Sequence, residues 1–289
     1  MKKKIDILFE LTKIRITSFV AFTTVFGYIA YAKEINWGFL KPTIGILLLA
    51  CGSAVVNHWQ ERKTDALMSR TKNRPIPSGR ISANNALFIA VTFILFGSII
   101  LQLSAGWIAL GLGLLNLVWY NGIYTPLKKV NPLAIIPGSL VGAIPPAVGW
   151  VAAGGNVLDP QIIVLSFFFF IWQIPHFWLL LLVLNKDYEQ AGFPTLTQIF
   201  STEQLARITF MWILATVVTG LIIPLYGIVK YPIIDFSLFA AGLWLSISSL
   251  KLLKAKKKKV YFNFAFREIN IFAILVVLLI SIDKLVISF

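Results

Sequence analysis

Nine stretches of mostly apolar residues, parted by short loops rich in Lys and Arg, govern what this chain can become. A helix needs about 20 such residues to cross the hydrocarbon core of a bilayer. Spans fall near residues 16–32, 42–60, 86–104, 107–125, 134–153, 161–184, 208–229, 232–250 and 269–287. In lipid every backbone polar group must be satisfied internally, so helices are the expected element throughout. Only 13% of the residues are charged, about half the ~25% of a soluble domain, which excludes a water-soluble globule. The expected fold is all-α and integral to the membrane: one transmembrane domain over residues 1–289, a bundle of about nine helices.

The loops orient that bundle. With the N-terminus inside, 22 of the 26 Lys and Arg residues fall on the inner side, leaving only Lys33, Lys41, Lys230 and Lys284 outside. Basic residues gather on the cytoplasmic side of membrane proteins, and one missed helix would invert every later loop. The N-terminus is therefore expected in the cytoplasm and the C-terminus outside. The net charge of +14 reads as orientation, not as a nucleic-acid surface, because the basic residues lie between spans and form no single stripe. The run Lys256 to Lys259 suits contact with anionic lipid of the bilayer. The basic start at Lys2, Lys3 and Lys4 is interrupted by Asp6 and Glu10, so it lacks the apolar run of a secretory signal. A bacterial inner membrane is the simplest home. Cys51 is the single cysteine, which excludes an intrachain disulfide, and it reads as packing.

Polar chemistry concentrates on the inner face. Asn57, Glu61 and Asp65 follow the second span at i, i+4 and i+8, which on a helix places them within about 80° and about 12 Å of one another. Carboxylates at the end of a membrane span are costly and are functional candidates by default. Two carboxylates and an amide oxygen are hard ligands that suit Mg²⁺; the plainer reading is a helix end with solvated charges. Arg70, Lys72 and Arg74 follow closely. An acidic patch beside a basic one is what a diphosphate with its metal ion requires, since Arg grips phosphate oxygens through a fork and Lys as a point charge. Orientation alone explains the bases but not the acids among them. Tyr124, Lys128 and Lys129, at the end of the fourth span, supply a further diphosphate contact or a topogenic loop with an interfacial tyrosine. A diphosphate mouth on an apolar bundle points to a lipid-like diphosphate such as a prenyl diphosphate, and the active site is expected to face the cytoplasm.

On these residues the chain resembles the UbiA-type intramembrane prenyltransferases. Asn57-x3-Glu61-x3-Asp65 is similar to that superfamily's first acidic motif, with Glu in the middle. The segments Leu11 to Arg15, Asp65 to Pro75, Gly142 to Trp150, Trp172 to Trp178 and Lys186 to Pro194 are similar to the branch that modifies heme. The second acidic motif departs from the superfamily pattern: Asp187 is followed by Ala191 where a second Asp is usual. The resemblance implies transfer of a farnesyl group from farnesyl diphosphate to a vinyl group of heme B, with addition of water, giving heme O and diphosphate. It implies Mg²⁺ held by Asn57, Glu61, Asp65 and Asp187. It also assigns His176, with Trp172 and Gln173, to the porphyrin, and Arg15 or Lys13 to a propionate or a phosphate. Without it, His176 reads first as a buried imidazole bonded to a neighbouring helix. His58 points about 100° from Asn57 on a helix and supports a neighbour or only packs. Pro175 is expected to open its helix toward the substrate. A related enzyme acting on a quinone precursor or chlorin, and a membrane transporter, are the alternatives; no internal repeat favours transport. The implied partners are the two substrates, the bilayer, and a downstream heme-modifying enzyme or terminal oxidase.

Overall fold

The computed structural model describes residues 2–254 and 259–285, without the side chains of residues 2–3, 183–187, 254 and 259–260. Its helices are α1 (Lys2–Thr12), α2 (Ile14–Ala32), α3 (Leu40–Asp65), α4 (Ala83–Val118), α5 (Thr125–Leu127), α6 (Ile135–Gly138), α7 (Leu140–Ala152), α8 (Pro160–Gln190), α9 (Thr202–Ile222), α10 (Pro232–Ser249) and α11 (Lys259–Leu285). Of the Lys256 to Lys259 run, residues 256–258 lie outside the described residues, as do the side chains of Lys259 and Lys186.

Eight helical stretches among these residues are long and apolar enough to cross a membrane. The third, Ala83–Leu127, has 45 residues, which at 1.5 Å per residue is about twice the ~30 Å of a bilayer core. It is two crossings. Gly106 takes φ 78°, ψ −175° inside it, a conformation open to glycine and hardly to other residues. The chain doubles back there: a Cβ on Gly113 would lie 3.0 Å from Leu101 Cδ2, whereas a straight helix would separate these residues by about 18 Å. Among the described residues the nine crossings expected from hydropathy are therefore present, with the short connection between the third and fourth at the glycine. Bulky apolar side chains such as Phe88, Leu103, Trp107 and Phe236 are exposed on the helix surfaces, the inverse of a soluble fold and the face a bilayer covers.

Three features differ from the sequence reading. α1 is a separate helix before the first span, joined to it at Lys13 in the left-handed region (φ 49°, ψ 46°). α8 runs on to Gln190, so residues taken for a loop are helical. Pro175 lies inside α8, which continues through it, and no opening of the helix accompanies it.

Backbone contact between α2 and α7 sets the frame for the site. A Cβ on Gly149 would lie 1.8 Å from the Thr24 carbonyl oxygen, and one on Gly27 would lie 1.9 Å from that of Pro146. Membrane helices gain little from hydrophobic burial against one another, so close packing at small residues holds them together. Gly149→Ala is expected to force the pair apart and cost about 3 kcal/mol, the upper end of overpacking. Thermal unfolding in detergent checks this against Gly111→Ala, where nothing lies within 4 Å of the added methyl.

Candidate active site

α3 delivers its donors as the spacing requires. Asn57, Glu61 and Asp65 are all buried, Asn57 and Asp65 completely. Each meets a cation from a different part of the chain. Lys13 Nζ donates to Asn57 Oδ1 at 2.6 Å. Lys128 Nζ lies 2.6 Å from Glu61 Oε1. Arg74 Nη1 spans both oxygens of Asp65, at 2.8 and 2.7 Å. Charges withdrawn from water need such partners. Thr125 fixes which way the Asn57 amide points: its hydroxyl donates to the Tyr120 carbonyl and accepts from Asn57 Nδ2. The amide oxygen is thereby turned toward Lys13.

Local structure supplies the opposite wall. Residues Trp119–Tyr124 form a single π-helical turn, a feature often found at functional sites. Asn121 anchors it to α3, accepting from Ser53 Oγ, donating to the Ser53 carbonyl, and accepting at its own carbonyl from Gln60. Tyr120 and Tyr124 stack with centroids 5.7 Å apart, and Lys128 lies over the Tyr124 ring.

Between these walls is a cavity of about 290 Å³. Glu61, Asp65, Arg70, Arg74, Lys13 and Lys128 line its polar end. Ile16, Val20, Ile46, Leu49, Leu117 and Leu180 line the remainder, with Tyr120, Tyr124, Gln173, Phe177 and Tyr188 around them. Among the described residues four basic side chains face two carboxylates, so the pocket suits an anion. Burial, Arg74 and Lys128 together push Lys13 down to about 7. Burial works most strongly against the charge of Lys128, but the Glu61 carboxylate together with Tyr124, Tyr120 and Tyr188 holds that amine above its ordinary range.

The sequence-selected residues do not all meet at one place. Glu61, Asp65, Arg70, Arg74, Tyr124 and Lys128 converge on the cavity, and Asn57 lies behind Lys13. Arg15, Lys72 and Lys129 are exposed and do not line it. The side chain of Asp187 lies outside the described residues, although its neighbour Tyr188 reaches the cavity. Of the acceptor group, Gln173 lines the cavity, its Oε1 accepting from the Gly142 amide. Trp172 and His176 turn instead toward α11, where Trp172 Nε1 donates to the Ile269 carbonyl and His176 Nδ1 meets Asn270 Oδ1 at 2.7 Å. His58 is buried with neither ring nitrogen hydrogen-bonded. Sequence reasoning passed over Tyr120, Asn121 and Asn270; a polar side chain within a membrane span was the available signal for the two asparagines.

The donor set fits Mg²⁺. Two carboxylates and an oriented amide oxygen are hard ligands, and so small a set leaves an ion open positions. An open set is what an ion keeping its waters and substrate phosphates prefers.

The UbiA prenyltransferase family model matches residues 19–270, and the chain belongs to that family. Its relatives include the protoheme IX farnesyltransferase of Oleidesulfovibrio alaskensis, 32% identical over 279 residues and 96% of either chain. The protoheme IX farnesyltransferase of Rhizobium meliloti is 34% identical over 94% of this chain and 88% of its own. Among solved structures, a digeranylgeranylglyceryl phosphate synthase superposes with a TM-score of 0.81 at 16% identity, over 99% of this chain and 100% of that one. A UbiA homolog from Archaeoglobus fulgidus bound to GPP and Mg²⁺ gives 0.65 at 14% identity, over 95% and 99%. These two likenesses establish the fold.

Proposed function

We propose that this chain is a protoheme IX farnesyltransferase, moving a farnesyl group from farnesyl diphosphate to a vinyl carbon of heme B and producing heme O. One observation carries the reading: Glu61 and Asp65 on successive turns of α3, each against a cation, close the polar end of an apolar cavity. A diphosphate with a prenyl tail has that same division. The full-length relatives named for this activity supply the acceptor.

Mg²⁺ held by Glu61 and Asp65, with Asn57 and Asp187, would supply neutralisation of the charge that develops on the leaving diphosphate. Arg70, Arg74, Lys128 and Lys13 bind the phosphate oxygens, while Lys72 and Lys129 add to the positive field outside the cavity. The cations now paired with the α3 donors are the groups the diphosphate takes, so the substrate parts acid from base. The C1–O bond breaks with its electron pair leaving on diphosphate. The faces of Tyr120 and Tyr124 stabilise the allylic cation, and the apolar walls keep water from C1. The vinyl π electrons form the new C–C bond to C1. Water then adds its oxygen to the cation beside the porphyrin and releases a proton, so heme B, farnesyl diphosphate and water give heme O and diphosphate. His176, Trp172 and Gln173 hold the porphyrin, with Arg15 at a propionate. The charge asymmetry of the loops sets this site toward the cytoplasm of a bacterial inner membrane, where a downstream heme-modifying enzyme or terminal oxidase takes the product.

Mass spectrometry of purified protein in lipid with heme B, farnesyl diphosphate and Mg²⁺ tests this. The expected product is a heme heavier by one farnesyl group plus water, absent with EDTA. Prenylation of an aromatic acid or quinol precursor instead, with heme untouched, would retain the donor chemistry and discard the acceptor.

A further inference from the structure

His176 makes its hydrogen bond to a residue that nothing in the donor site requires. Nδ1 meets Asn270 Oδ1 in the middle of α11 at 2.7 Å. The amide decides which atom donates. Asn270 Nδ2 donates to the Phe266 carbonyl one turn earlier, and reversing the amide would set two oxygens against each other. Oδ1 is therefore the acceptor and His176 Nδ1 carries the hydrogen, since a neutral imidazole has one donor and one acceptor nitrogen. Nε2 is left with a lone pair that no described residue takes. Ring rotation is restricted as well. Trp172 and Phe266 lie beside the imidazole with centroids 4.9 and 5.0 Å away, and Trp172 is itself tied to the Ile269 carbonyl. A polar side chain at this depth in a membrane span is costly, and an apolar contact would hold α8 to α11 without that cost.

We infer that Asn270 is a positioning residue for the porphyrin: it fixes the Nδ1–H form of His176 and so presents Nε2 as a ligand to the iron of heme B. The inference rests on heme B being the acceptor. Partners that hold the second nitrogen of a histidine ligand set both its tautomer and its aim. Gln173, three residues earlier and about 60° around the helix, lines the prenyl cavity. The iron ligand and the cavity wall thus occupy adjoining sides of α8, which brings the edge of a bound porphyrin beside the prenyl chain.

The test is a titration of ferric heme B into the purified full chain in lipid, followed by absorption, with binding of farnesyl diphosphate and Mg²⁺ measured separately as a control for folding. The native chain is expected to give the spectrum of imidazole-ligated heme, and His176→Ala to lose it. Asn270→Leu should weaken heme binding about 10- to 100-fold, the usual effect of removing such a partner, and diminish the ligation spectrum. Asn270→Asp, neutral in the apolar span, keeps an acceptor oxygen toward His176 and an O–H donor toward the Phe266 carbonyl, and should restore both. Donor binding should be unchanged throughout. Native affinity and spectrum in Asn270→Leu, or loss of both in an Asn270→Asp variant that still binds the donor, would overturn the role of Asn270 and leave farnesyl transfer to heme standing. A native chain that neither binds nor converts heme B would instead overturn the choice of acceptor.

Discussion

Asp65→Ala is expected to lower farnesyl transfer by about three orders of magnitude, a loss of about 4 kcal/mol of transition-state stabilisation, while the protein stays folded in the membrane. The two halves of that expectation have separate causes. Asp65 is fully buried at the polar end of the cavity and offers two oxygens, both facing Arg74. Removing it takes away one of the two carboxylates that line the cavity among the described residues, and an open site with few protein ligands tolerates that poorly. The structural cost is smaller. Arg74 is partly exposed, so its guanidinium can turn to solvent and need not remain as a stranded charge. Thr71, which ties the loop to α3, bonds the backbone carbonyl of Asp65 and not its side chain, so that link survives. Turnover measured over a Mg²⁺ titration, beside a melting curve, separates the two effects. Native turnover in this variant would remove Asp65 from the metal site.

How much of this was legible in the sequence depends on the range of the interaction. Apolar length and basic loops gave all nine crossings, down to the break beside Gly106, because a bilayer imposes its thickness on each helix separately. The donors on α3 were legible for the same reason: spacing within one helix is local. Their cationic partners were not. Lys13 reaches Asn57 from 44 residues away, and nothing in the basic loops distinguishes Lys128, which faces Glu61, from its exposed neighbour Lys129. The orientation rule places Lys and Arg on the inner face whatever they touch. The π-helical turn was hidden as well, since the extra residue that turns Tyr120 and Tyr124 into the cavity depends on Asn121 finding Ser53 and Gln60 on α3. His176 was singled out early, but its partner Asn270 lies 94 residues away, and only the packing of α8 on α11 joins them.

Lys128→Met is expected to damage stability and turnover together, and a second substitution should separate them. Lys128 and Glu61 are both largely buried and 2.6 Å apart. Breaking such a pair strands one charge, at a cost of about 3 kcal/mol once some exposure of the lysine is allowed for. Protonation of Glu61 limits that loss, because a carboxyl left without its partner can shed its charge. The melting temperature of the substrate-free protein should therefore fall in Lys128→Met and recover in Lys128→Met with Glu61→Gln, since a buried ion pair is often no more stabilising than neutral groups of similar size. Turnover should not recover, because the double variant lacks both a phosphate contact and a carboxylate donor. If the double variant melts as low as the single one, Lys128 is held by packing and not by Glu61. If it regains turnover, the pair does not lie on the path of the diphosphate. Recovery of stability without turnover means that the chain keeps acid and base in contact for the sake of the ligand that parts them.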